Sequence, residues 1–66
     1  MDIEAQIIGH LHNNPCTRNE LKQQFSDADK VAFGLALLNL LDEKMVTTNT
    51  KTQLEVTTKG KQVYHL

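Results

Sequence analysis

The sequence predicts one α+β domain over residues 1–66: a three-helix core, then a two-stranded β-hairpin, then a short C-terminal helical turn. Three observations predict it. Apolar residues recur at helical spacing from Ile3 to Leu41. Capping residues stand at Thr17 and across Ser26–Asp29, where the second and third helices must begin. Beyond Lys44, β-branched residues alternate with polar ones on both sides of Asn49–Gln53.

Ile3, Ile7, Ile8 and Leu11 place the first helix at about residues 3–13. Asn13-Asn14-Pro15 ends it, because proline disfavours helical geometry in the residue before it. Thr17-Arg18-Asn19-Glu20 fits a capping box: the Thr17 hydroxyl serves one free N–H and the Glu20 carboxylate reaches back. Cys16 and Leu21 then occupy the two positions of a hydrophobic staple, and a short second helix runs to about Phe25. Ser26-Asp27-Ala28-Asp29 makes a turn and supplies acids to the start of a third helix, residues 28–44, as the helix dipole favours. Val46-Thr47-Thr48 and Leu54-Glu55-Val56-Thr57 pair as a hairpin with a loop of about four or five residues. Thr57 or Thr58 caps a last turn, Lys59 to Leu66, with Val63 and Leu66 facing inward.

Bulk properties limit the function classes. A 66-residue chain buries only about 60% of its unfolded surface, so it leans on a disulfide, a metal or a partner. Cys16 is the sole cysteine, which removes the intramolecular disulfide and any thiolate cluster for zinc; it reads as a half-buried small apolar residue. His10 and His12 lie two apart on a helix and point in different directions, and no acidic cluster accompanies them or His65, so no metal or cofactor is expected. No nucleophile, base and orienting acid share an element, and a domain of 66 residues rarely contains a small-molecule substrate cavity; an enzyme is not expected. Asp2 and Glu4 stand where a signal peptide would need cations, and Val31–Leu41 is too short to span a bilayer. The expectation is a soluble cytoplasmic protein with no membrane partner. Seven basic and eight acidic residues give a net charge of −1, without the basic excess common in nucleic-acid binders.

Two stretches carry a family resemblance. Leu37-Leu38-Asn39-Leu40-Leu41-Asp42-Glu43-Lys44-Met45-Val46 is similar to the run that ends the third helix and enters the wing in bacterial winged helix-turn-helix regulators, with Lys44 where glycine is usual. Leu54-Glu55-Val56-Thr57-Thr58-Lys59-Gly60-Lys61 resembles the second wing strand and following turn of MarR-like and PadR-like members. The resemblance implies a winged-helix fold and a small dimeric transcriptional regulator, whose third helix enters the DNA major groove while the wing meets the backbone. It places Arg18, Lys22, Lys30, Asn39, Lys51, Lys59 and Lys61 against double-stranded DNA, with Thr50 and Thr52 beside Lys51 at the wing tip.

The residues also support a second reading. The outward face of the third helix carries Lys30, Val31, Gly34, Leu35, Leu38 and Asn39; Val31, Leu35 and Leu38 are apolar where base readers carry Arg, Asn or Gln, and Asp27 and Asp29 stand at its leading end. Phe33, Leu37 and Leu40 form one apolar stripe and Val31, Leu35, Leu38 and Leu41 or Asp42 another; a helix apolar nearly all round is a helix buried nearly all round. Val31, Leu35 and Leu38 are therefore the expected protein interface of an interaction module, most simply a homodimer. DNA binding is the sequence's first expectation and the interaction module its alternative.

Overall fold

Each helix opens on a side chain that takes up a free backbone N–H, and these caps fix the element order. The computed structural model describes residues 2–66. Asp2 caps α1 (Ile3–Asn13), accepting from the Glu4 N–H at 3.2 Å. The capping box at α2 (Arg18–Gln24) is complete: Thr17 Oγ1 accepts from the Glu20 N–H at 3.2 Å, and the Thr17 N–H donates to Glu20 Oε1 at 3.0 Å. Asp29 caps α3 (Lys30–Asp42) through the Val31 N–H at 2.9 Å. Strands β1 (Val46–Thr48) and β2 (Leu54–Val56) follow, and Thr57 caps α4 (Thr58–Val63) through the Gly60 N–H at 3.1 Å. The α+β order expected from the sequence is the order observed.

Helix α3 is shorter at both ends than the expected 28–44. Its start is fixed by the Asp29 carboxylate. Its end is a Schellman turn: Lys44 takes the left-handed conformation at φ 61, its N–H donates to the Leu41 carbonyl at 3.1 Å, and the Met45 N–H donates to that of Leu40 at 2.9 Å. Lysine thus sits where glycine would be free of strain.

The hairpin is antiparallel with Val46 opposite Val56, Thr47 opposite Glu55 and Thr48 opposite Leu54. Asn49 organises its loop: its side-chain oxygen accepts from the N–H groups of Lys51 and Gln53 at 2.9 and 3.0 Å. Leu54 is paired on its other edge as well, exchanging backbone hydrogen bonds of 3.3 and 2.7 Å with Cys16. Cys16 is therefore more than the small apolar filler the sequence suggested; its backbone ties the α1–α2 connection to the hairpin.

Ile7, Ile8, Leu11, Leu21, Phe33, Ala36, Leu37, Leu40, Val46 and Leu54 form the core, so every element from α1 to β2 contributes to it. Helix α4 corrects the expected Lys59–Leu66 turn. It ends at Val63, His65 adopts φ 58, and the Leu66 N–H closes back on the Lys61 carbonyl at 2.8 Å. Val63 and Leu66, expected inward, are 52% and 51% exposed; the buried Gly60 and half-buried Tyr64, four apart on one face, take the inner side instead.

Candidate interaction surface

Helix α3 advances about 100° per residue, so residues three and four apart share a face. One face carries Phe33, Ala36, Leu37 and Leu40, all buried. The opposite face carries Val31, Leu35 and Leu38, which are 69%, 62% and 62% exposed. Their spacing, four and then three residues, is that of a helix–helix seam. The two stripes read from the sequence are thus separate in space, and among the described residues no element covers Val31, Leu35 and Leu38.

Toward α1 the strip borders a shallow groove lined by Ile3, Glu4, Leu35, Leu38, Asn39 and Asp42. Asn39 Nδ2 donates to Glu4 Oε1 across it at 3.4 Å, so the one amide on this face is held by α1. Gly34 lies between Val31 and Leu38, and a Cβ built there meets nothing within 4 Å. The ends of the helix are charged: Lys30 is its first residue and Asp42 its last. The sequence places Gly34 on the outward face of the third helix, beside Val31, Leu35 and Leu38, but does not bring Ile3 or Glu4 to that face. Gly34 left a signal that was readable there, a glycine in the middle of a helix with no turn to make.

The expected DNA-contacting residues are only partly assembled. Lys22 and Lys30 line one depression with Asn19, Phe25 and Phe33. Arg18 stands in the first turn of α2, Lys51 at the hairpin tip and Lys61 on α4, all exposed. Lys59 is engaged inside the molecule: its ammonium donates to the Glu43 carbonyl at 2.9 Å, neutralising the C-terminal end of α3. Asp29, which faces the start of α3, is committed to its cap.

Other reactive side chains are accounted for by packing. His10 meets the Phe25 ring edge-on, with centroids 6.3 Å apart and planes at 88°. Burial, and then the nearby Glu20 charge, push the Cys16 thiol up from 9.0, the opposite of what a nucleophile needs. Among the described residues no three of His, Cys, Asp and Glu are grouped as metal ligands, and no helix is long and apolar enough to cross a membrane. No protein-family model matches the chain, and no curated protein or solved structure matches it.

Proposed function

We propose that the chain is a protein-interaction module on the winged-helix plan, docking through the outer face of α3. One observation carries this reading: three large aliphatic side chains, each more than 60% exposed, lie on the side of α3 opposite the core. Full burial of a Val or Leu contributes roughly 1.5–3 kcal/mol, and with about two-thirds still to gain the three offer roughly 3–6 kcal/mol. A partner of similar character brings the gross gain to roughly 6–12 kcal/mol, set against an association cost of about 4–15 kcal/mol. The balance suits weak, reversible association.

The same face is a poor reader of bases. Its polar groups are Lys30 and an asparagine already bonded to Glu4, and acids stand at both of its ends. The transcriptional-regulator reading that the resemblance implies is favoured by one feature, the pairing of Lys22 and Lys30 beside the start of α3. A buried thiol and no second cysteine suit a reducing compartment such as the cytoplasm.

Two measurements separate the readings. Leu35→Lys is expected to abolish association at the α3 face while leaving the far-ultraviolet circular dichroism of the fold intact, since Leu35 makes no part of the core. Random duplex DNA at about 50 mM salt, where phosphate contacts are strongest, is expected to give no mobility shift at low micromolar protein. A shift that Lys22→Glu or Lys30→Glu removes and Leu35→Lys leaves in place refutes the interface reading in favour of the regulator.

A further inference from the structure

We infer that the occupant of the α3 face is the same face of a second copy, packed antiparallel about a twofold axis level with Ala36. This rests on the proposal that α3 is a protein interface, and it specifies the partner and the register.

Gly34 is the first observation. A Cβ there would enter open space, and its backbone is not in the left-handed region, so nothing among the described residues requires glycine. Glycine is among the poorest residues for a helix interior. On the surface it leaves a hollow between Val31 and Leu38, in the middle of the exposed strip. Bare backbone at such a point lets another helix approach closely and receive a protruding side chain.

Leu38, 62% exposed on the same strip, is a side chain of the size that hollow would take. An isologous interface must use both features of both copies: Leu38 of each enters the Gly34 hollow of the other. In an antiparallel pair that requirement fixes the axis at the level of Ala36, midway between them along a helix that rises about 1.5 Å per residue.

One pair of end charges fits that register, although the exposed Asp29 and Glu43 just beyond it come level acid to acid. Lys30 opens α3 and Asp42 closes it, and both are exposed. An axis level with Ala36 brings Lys30 of one copy level with Asp42 of the other, at both ends of the seam. A parallel pair would instead set Lys30 beside Lys30 and Asp42 beside Asp42. Leu35 then falls within one residue of the axis, at the centre of the contact, where the largest loss on substitution is expected. One helix pair makes a contact at the small end of specific interfaces, so the dimer is expected to dissociate in roughly the micromolar range.

Sedimentation velocity on the full chain over about 1–500 µM tests this, the range being set to bracket that affinity. The variants are Leu35→Lys, Gly34→Leu, Lys30→Glu, Asp42→Lys and the double charge swap, each checked for native circular dichroism. None threatens the fold: Gly34 faces open space, and both charge swaps suit the helix dipole. A reversible wild-type dimer is expected. Leu35→Lys and Gly34→Leu should each raise its dissociation constant at least about tenfold, and each single charge swap by about the same factor, while the double swap restores it to within about threefold. If the wild type dimerises and Leu35→Lys dissociates it, but Gly34→Leu and the charge swaps do nothing, the register is wrong and α3 remains the interface. A wild type that stays monomeric throughout overturns the second copy alone, and the interface reading then stands on its own test. A dimer indifferent to Leu35→Lys overturns both.

Discussion

Gly60→Ala is the most informative single methyl that can be added to this chain. Gly60 is buried in the first turn of α4, against the segment that leaves α3. A Cβ at that position would press on the Met45 carbonyl oxygen closer than real side chains come, and would lie 2.8 Å from Val56 Cγ1 and 3.2 Å from the Met45 carbonyl carbon. The obstacle is backbone, which cannot rotate away as a side-chain tip can. The same few atoms are tied to α4 by Thr57, whose N–H donates to the Met45 carbonyl at 2.9 Å and whose hydroxyl donates to the Lys44 carbonyl at 2.7 Å. Moving α4 outward to make room therefore stretches both bonds.

Overpacking of this kind costs about 1–3 kcal/mol, and a weakened hydrogen bond adds about 1 kcal/mol. The helical preference of alanine returns at most about 1 kcal/mol, and less in so short a helix. The net expectation is a loss of about 2 kcal/mol, from a total stability of about 3–10 kcal/mol for a chain of this length. In a domain this small, that lowers the thermal midpoint by about 8–16 °C. Thermal unfolding followed by far-ultraviolet circular dichroism at low protein concentration measures it, with Gly9→Ala as the control. Gly9 lies inside α1 with nothing within 4 Å of its Cβ, so the identical substitution should raise the midpoint there. A Gly60→Ala protein that melts with the wild type, or above it, refutes the packing of α4 on the end of α3.

Lys44→Gly should stabilise the protein by about 0.5–1 kcal/mol, since glycine relieves the left-handed strain at φ 61 and keeps both Schellman bonds; the thermal midpoint should rise by several degrees. Glu20 gives a pH dependence. Its hydrogen bonds with the Thr17 backbone and side chain hold its carboxyl below the ordinary 4.5. A depressed acid adds stability above its unfolded value and loses it as pH falls through the lower folded value, so part of the acid destabilisation below about 4.5 should disappear in Glu20→Gln, which keeps the capping geometry. Cys16 should react with a disulfide reagent near neutral pH only as fast as the hairpin opens, because its thiol is buried and raised; a rate matching that of a free thiol would mean the bridge to Leu54 does not hold in solution.

The legible parts of the fold were those with a local cause. The capping box needs only Thr17 and Glu20, and the hairpin only two alternating runs and a polar loop, so both could be read without tertiary information. The bridge between Cys16 and Leu54 could not. A single paired residue has no periodicity, and its partner lies far along the chain. The orientation of α4 failed for a related reason. Val63 and Leu66 are the apolar residues there, but the close approach to Met45 admits only Gly60, so space rather than hydropathy chose the inner face. The site divides the same way. Val31, Leu35 and Leu38 were readable as a stripe, because helical period alone separates them from Phe33, Leu37 and Leu40. The engagement of Asn39 by Glu4 and of Lys59 by Glu43 was not readable, since each crosses between elements.

On the proposed interface reading, this separation of faces divides folding from association along α3. The core face sets whether the chain folds: Leu37 and Leu40 are wholly buried, and truncating either to alanine should cost about 2–5 kcal/mol, most of what so small a domain has. The outer face contributes almost nothing to that total, because its side chains already stand in water. A domain under selection for folding alone would gain solubility by carrying polar residues at 31, 35 and 38, and helix stability by carrying alanine at 34. The chain has the opposite at all four positions. Polar replacement of the outer face should therefore leave the thermal midpoint of the monomer unchanged or raised while abolishing association, a combination that a purely structural helix cannot produce.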